Sequence, residues 1–317
     1  MKNILTQKSR WILFGLSICI WPIFGQNNTS QSDFIEIEGY KYEYKLAGMN
    51  HLNEKNHVVI FESGLGEDLN SFNVVYDSLS KFTPVFAYSR SGLGNSEQNN
   101  VAPTPLNSAK LLQKLTKHLK LPEPYILVGH SWGGAIIRTY AGHFPTEVKG
   151  LIYVDPNDFM RNKEERDRKW LDLKIDPKVA NEFIEDSFKV YLKEMMASGK
   201  IEEKSGILLE LDETTKFHKR LVEDRQLGVE PEKPMVVFAG LKIPETVPPV
   251  PKGFVKPWKD DAEFFKVKNK DRVRHLTEWM LKLNDCELIF STNASHYFHY
   301  EEPVLVIQGI QRIINLK

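Results

Sequence analysis

Val128-Gly129-His130-Ser131-Trp132-Gly133-Gly134 is the stretch whose reading decides the fold. Before it, Pro124-Tyr125-Ile126-Leu127-Val128 reads as a short buried strand, and after it Ala135-Ile136-Ile137-Arg138-Thr139-Tyr140-Ala141 reads as a helix. Gly129, Gly133 and Gly134 let the backbone turn sharply and let the new helix approach its neighbouring strands. A serine at such a junction is pushed out at the carboxyl end of the sheet, beside a helix N-terminus whose free N–H groups favour a developing oxyanion. The Gly-x-Ser-x-Gly pattern alone is weak, since it arises by chance in about one chain in ten of this length. The strand before it and the helix after it make Ser131 a candidate nucleophile rather than a turn residue.

Working outward, a series of continuous apolar runs reads as buried parallel strands: Val58-Val59-Ile60-Phe61, Val85-Phe86-Ala87-Tyr88, Ile126-Leu127-Val128, Leu151-Ile152-Tyr153-Val154, Met235-Val236-Val237-Phe238 and Leu288-Ile289-Phe290. Helical stretches lie between most of them, at residues 105–118, 132–144 and 260–283, with a terminal helix from Pro303 whose Val306, Ile307, Ile310, Ile313 and Ile314 share a face. Strand alternating with helix predicts an α/β fold, a mostly parallel sheet covered by helices on both faces. Ahead of it, Phe34 to Tyr44 alternates apolar and charged residues around Gly39 and reads as an exposed antiparallel hairpin.

Composition bounds the function. The chain has 317 residues with 42 basic and 42 acidic side chains, so no net field recruits nucleic acid or an anionic membrane surface. Lys2, Lys8 and Arg10 precede an apolar run from Trp11 to Phe24, and Gly25 ends it, which is the layout of a secretory signal peptide cleaved near Gln26. The run is short for a membrane span, so the expected product is periplasmic or secreted, with no stable span after cleavage. Cys286 is the only cysteine beyond that leader, which leaves no internal disulfide. No Cys/His cluster has metal-ligand spacing, and His296 and His299 lack a third ligand beside them, so neither a metal nor a cofactor is expected.

Residues 157–232 shift to charge and helix formers with no strand-like run, and read as a helical insert between two halves of a core, 26–156 and 233–317. Its best-defined helix, Asn181 to Ser198, puts Ile184, Phe188, Tyr191, Leu192 and Met195 along one side, either to pack the insert on the core or to face a substrate as a lid. Ile243 to Trp258 is rich in proline and reads as an extended, stiffened loop.

Four landmarks in order resemble the α/β-hydrolase family, in its lid-bearing esterase, lipase and prolyl iminopeptidase branch. Phe61-Glu62-Ser63-Gly64-Leu65-Gly66 is similar to the oxyanion loop, with Glu62-Ser63 where the family commonly has His-Gly. Tyr88-Ser89-Arg90-Ser91-Gly92-Leu93-Gly94-Asn95-Ser96 is similar to the family's Tyr-Asp-Arg-x-Gly-x-Gly-x-Ser turn, with Ser89 replacing the Asp. The elbow at Ser131 is the third, and Ser295-His296 to Glu302-Pro303 resembles the segment that carries the family's catalytic histidine.

The resemblance implies acyl transfer to Ser131, with His296 as general base, a carboxylate behind it, and the N–H groups of Leu65 and Trp132 as the oxyanion hole. His299 is expected to pack. For the acid, Asp155 at the end of the strand before the insert and Glu245 after the following strand both stand as candidates, while Asp260 and Asp261 look like helix caps. A small-molecule carboxylic ester or lactone is the expected substrate. Prolyl iminopeptidases share the Ser-Trp-Gly-Gly elbow but usually carry Gly where this chain has His130, and a ligand-binding protein on the same scaffold is the non-enzymatic alternative. A serine nucleophile speaks against epoxide hydrolases and haloalkane dehalogenases, which use Asp at that position.

Overall fold

The computed structural model describes residues 32–54, 56–199, 205–245 and 250–316, so the signal-like leader lies outside the described residues. Its strands are β1 (Asp33–Ile37), β2 (Tyr40–Ala47), β3 (Val59–Glu62), β4 (Val85–Tyr88), β5 (Tyr125–His130), β6 (Val148–Val154), β7 (Met235–Gly240) and β8 (Cys286–Ser291). They form one sheet in the order β1-β2-β4-β3-β5-β6-β7-β8. The pairs β1/β2 and β2/β4 are antiparallel, and every pairing from β4 to β8 is parallel. The six apolar runs are the six parallel strands.

The hairpin is where the sequence reading needs correction. It is antiparallel, but β2 is stitched to β4, which buries Tyr42, Glu43 and Lys45. The alternation that looked solvent-facing belongs to a strand inside the sheet, and its charged residues are used internally.

Helices cover both faces: α1 (Asn73–Leu79), α2 (Pro105–His118), α3 (Trp132–His143), α4 (Lys163–Asp172), α5 (Pro177–Ala197), α6 (Ser205–Lys219), α7 (Asp261–Met280), α8 (Phe298–Glu301) and α9 (Pro303–Asn315). Alternate strand residues sort to opposite layers, as the pleat requires. Phe61, Val128, Val154 and Phe238 pack with Tyr76 of α1, Phe298 of α8 and Ile310 of α9. Ile60, Leu127, Leu151 and Val237 pack with Leu112 of α2, Ile136 of α3 and Leu276 of α7. Because both faces are dry, the strands read as unbroken apolar runs.

Between β6 and β7 the chain folds into α4, α5 and α6. Phe188 and Leu192 of α5 and Ile207, Leu211 and Phe217 of α6 share one apolar cluster with Leu65 and Trp132, the residues just past the carboxyl ends of β3 and β5. The stripe on α5 is split: Ile184 instead joins Trp170, Trp258 and Phe264, tying the insert to α7 and to the proline-rich loop. Met196 rather than Met195 reaches the main cluster. No helix among the described residues is long and apolar enough to cross a membrane.

Candidate active site

The passage from β5 into α3 has no spare residue, so Ser131 takes the whole turn, at φ 50 and ψ −113. That region is sterically poor for a residue with a side chain, and neighbours must hold it there. Ser131 N–H donates to Val154 O at 3.1 Å, and Ser131 O accepts from Gly134 N–H at 3.0 Å and Asn157 N–H at 3.1 Å. Gly133 makes the turn possible, since a Cβ there would lie 2.2 Å from Glu62 O. The result is a serine side chain at the carboxyl edge, 5 % exposed beneath the insert.

Strand register brings Asp155 alongside. His130 pairs with Val154 across β5 and β6, so the next residue on each strand, Ser131 and Asp155, leaves the sheet at the same edge. Asp155, itself at φ 45, sets Oδ2 at 2.6 Å from His296 Nδ1. Its Oδ1 accepts from Gly240 N–H at 2.7 Å and pairs with Arg272 of α7 at 3.0 Å. Burial alone would raise this carboxyl; Arg272, His296 and Gly240 together hold it below the usual carboxylate range. Burial lowers His296 to about 4, helped by positive charge from His130 and Arg272 and opposed by Asp155.

The other candidates fall elsewhere. Glu245 is exposed and makes no hydrogen bond or ion pair among the described residues. Asp260 caps α7 through Ala262 and Glu263 N–H, and Asp261 holds Lys256. His299 lies fully buried within α8, its ring centroid 4.5 Å from those of both Phe72 and His130. Among the described residues Ser131 Oγ and His296 Nε2 form no hydrogen bond; His296 is held through Nδ1 and its carbonyl oxygen.

Two backbone donors stand ready. Among the described residues the N–H groups of Leu65 and Trp132 have no acceptor. Those flanking Leu65 are occupied: Gly64 N–H donates to Glu67 Oε2 at 2.7 Å and Gly66 N–H to Glu210 Oε2 at 2.8 Å. The loop is thus pinned on both sides of the free donor.

Glu62 and Ser89, the departures from the family pattern, have partners that account for them. Arg90 Nη1 donates to Glu62 Oε1 at 2.7 Å, and Tyr88 OH to Glu62 Oε2 at 2.7 Å. Arg90 also takes Glu210 of α6 in a two-point grip, at 2.5 and 2.8 Å, and donates to Gly64 O at 2.6 Å. The carboxylate missing at Ser89 comes from Glu43 of β2, which accepts from Ser89 Oγ at 3.1 Å and Asn95 N–H at 3.0 Å.

Sequence reasoning missed Glu210 and Arg272, which reach the site from distant helices with no motif around them, and Glu67, which directly follows the Phe61–Gly66 loop but lies outside the pattern read there. His130 was noted only as a departure from another branch. Among the described residues no group of three or more His, Cys, Asp or Glu side chains is placed to hold a metal ion.

A family model described as the alpha/beta hydrolase fold matches residues 57–312. The uncharacterized protein YqjL of Bacillus subtilis (strain 168) is 28% identical over 98 residues, 31% of this chain and 39% of that protein. Matched segments span only 19 to 40% of the length of the curated relatives. Among solved structures, the lip1 protein of Acinetobacter baumannii AYE is similar at TM-score 0.62 and 18% identity, over 90% of each chain. A haloalkane dehalogenase, the DbeA-M1 loop variant from Bradyrhizobium elkanii, is similar at TM-score 0.58 and 16% identity, over 90% of this chain and 96% of that one. At such identities the likeness is one of fold.

Proposed function

The chain belongs to the α/β-hydrolase family, and from that premise we propose that it hydrolyses carboxylic esters or lactones through an acyl-enzyme on Ser131. The observation that carries the reading is the 2.6 Å contact of Asp155 with His296 Nδ1 at the sheet edge where the elbow presents Ser131. A fold shared with a dehalogenase does not choose the chemistry; the side chains do.

In the proposed cycle Asp155 accepts from Nδ1–H and so leaves Nε2 of His296 as the base. Nε2 takes the Ser131 proton as Oγ attacks the carbonyl carbon, and the carbonyl oxygen, now an oxyanion, accepts from Leu65 and Trp132 N–H. The imidazolium returns that proton to the departing alkoxide, giving an alcohol and the acyl-serine. Water then adds by the same route and releases the acid. The insert packs through α5 and α6 over Leu65 and Trp132, which makes it a lid over the Ser131 edge in this proposal.

An iminopeptidase needs a free carboxylate near the nucleophile to hold a substrate ammonium. Here Glu62 and Glu210 are spent on Arg90, and Glu67 on His130. That favours the ester reading. Export, with the mature chain beginning near Gln26, belongs to the same proposal.

A panel of p-nitrophenyl esters and proline anilides tests it. Ester turnover lost in Ser131→Ala is the expected result. Anilide turnover would point to the peptidase, and tight binding without turnover to a receptor.

A further inference from the structure

His130 is 1 % exposed, and both of its ring nitrogens face oxygen. Nε2 lies 3.0 Å from the carbonyl oxygen of His296, which can only accept. Nδ1 lies 3.1 Å from Glu67 Oε2, an oxygen that already accepts from Gly64 N–H at 2.7 Å and Ser71 OH at 2.6 Å. Two acceptors leave no room for a bare ring nitrogen, so each carries a proton. A buried cation then needs a counter-charge at hand, and Glu67 is it.

We propose that His130 stands as an imidazolium paired with Glu67, and that this dyad is a positioning element joining the oxyanion loop, the elbow and the His296 loop while keeping His296 unprotonated into the acid range. The second half rests on the catalytic reading of His296; the first does not.

The three loops meet at this pair and at no single motif. Glu67 Oε2 fixes Gly64, one residue before the free Leu65 donor; His130 precedes Ser131 in the chain; Nε2 holds the main chain of His296 itself. The approach demands glycine at position 64, where a Cβ would lie 2.8 Å from both Glu67 Oε2 and His130 Nδ1.

The charges facing each ring set the direction of the effect. Around His130 stand Glu67, Asp155 at the end of β6, the rings of His296 and Tyr297, and His299 of α8. Around His296 stand Asp155, Arg272 of α7, His130 and buried His299. The His130 and His296 ring centroids are 4.7 Å apart. A cation at that range opposes Asp155 and disfavours a second proton on His296. Burial works against charging His130, yet Glu67 prevails and raises it, while Glu67 is held far below its usual range.

The test uses the full-length Ser131→Ala protein, so it needs no turnover. Proton and nitrogen NMR of the rings should give two ring N–H signals for His130 between pH 6 and 8; a single one overturns the proposal. His130→Gln keeps a donor for the His296 carbonyl without the charge, and Glu67→Gln removes the counter-charge, without which buried His130 gives up its proton. Each should raise the His296 titration midpoint by about one to two pH units. An unmoved midpoint in a folded variant contradicts the proposal, and if His130→Gln does not fold, Glu67→Gln decides. In the active enzyme the acid limb of kcat/KM should move by the same amount, whereas a purely structural role would lower the plateau and leave the limb in place. Should no ester be turned over, the function fails while the ring spectra still judge the dyad.

Discussion

At the residue scale the sharpest contrast is between two carboxyls. Asp155 touches His296 Nδ1, and Glu245 is exposed and has no partner among the described residues. Asp155→Asn offers an N–H where His296 needs an acceptor, selecting the wrong tautomer, so kcat should fall by about 10⁴ with KM little changed. Glu245→Gln should leave both constants near wild type; steady-state kinetics on one ester compares the two. With His296 lowered to about 4, the acid limb of wild-type kcat/KM belongs near pH 4 rather than near histidine's usual value. The sequence left the two acids open for a physical reason. Which strand end lies beside Ser131 depends on β6 sitting between β5 and β7, and pairing order is not written in apolar runs. Ser131, His296, Leu65 and Trp132 were legible because each sits in a local turn pattern. Arg272 was not, because it sits mid-helix on α7 and meets Asp155 only through packing.

At the element scale α6 does more than cover the site. Its Glu210 is shared between Arg90 and Gly66 N–H, so one side chain ties the insert to the oxyanion loop. Glu210→Ala leaves Arg90 with Glu62 as its only carboxylate among the described residues and frees the Gly66 donor. The expected loss is up to about 3 kcal/mol of stability and at least about tenfold in kcat, as the Leu65 donor loses its fixed position. Thermal unfolding and kinetics on the same preparation check this, and unchanged values for both would remove α6 from the account. The starts of some helices follow from capping chemistry: Thr104 before Pro105 opens α2, and Asp260 opens α7. The same signal begins α5 at Pro177 behind Asp176, four residues ahead of the stretch that apolar spacing picks out. The hairpin misled because alternation marks a strand without saying which partner its polar face will find, here Ser89 and Asn95 for Glu43.

For the whole molecule, several buried groups keep the protonation state that acid works against. Burial lowers His296 to about 4 and His218 to about 3, and holds His299 well below its ordinary value. The unfolded chain protonates these rings near pH 6.5 while the native chain does not, so stability should drop as pH falls below that point, by up to about 1.4 kcal/mol per pH unit for each. Asp155 and Glu67 are also lowered, and their contribution is lost further down, as pH falls through their folded values. His130 acts oppositely: raised in the fold, it contributes fully below about 6.5 and less as pH rises through its folded value. Calorimetry should place the highest Tm near neutrality with a steady fall towards pH 4.5, and a flat Tm across that interval would contradict these assignments. The architecture itself was open to reading, since a sheet dry on both faces leaves unbroken apolar runs between helices. The central claim is covalent chemistry at Ser131, and intact-mass spectrometry of the protein mixed with a slowly deacylating p-nitrophenyl ester tests it most directly. The predicted result is a burst of one p-nitrophenolate per chain with an added acyl mass on the peptide containing Ser131, absent in Ser131→Ala; turnover with no adduct on that peptide, or an adduct that persists in Ser131→Ala, would contradict it.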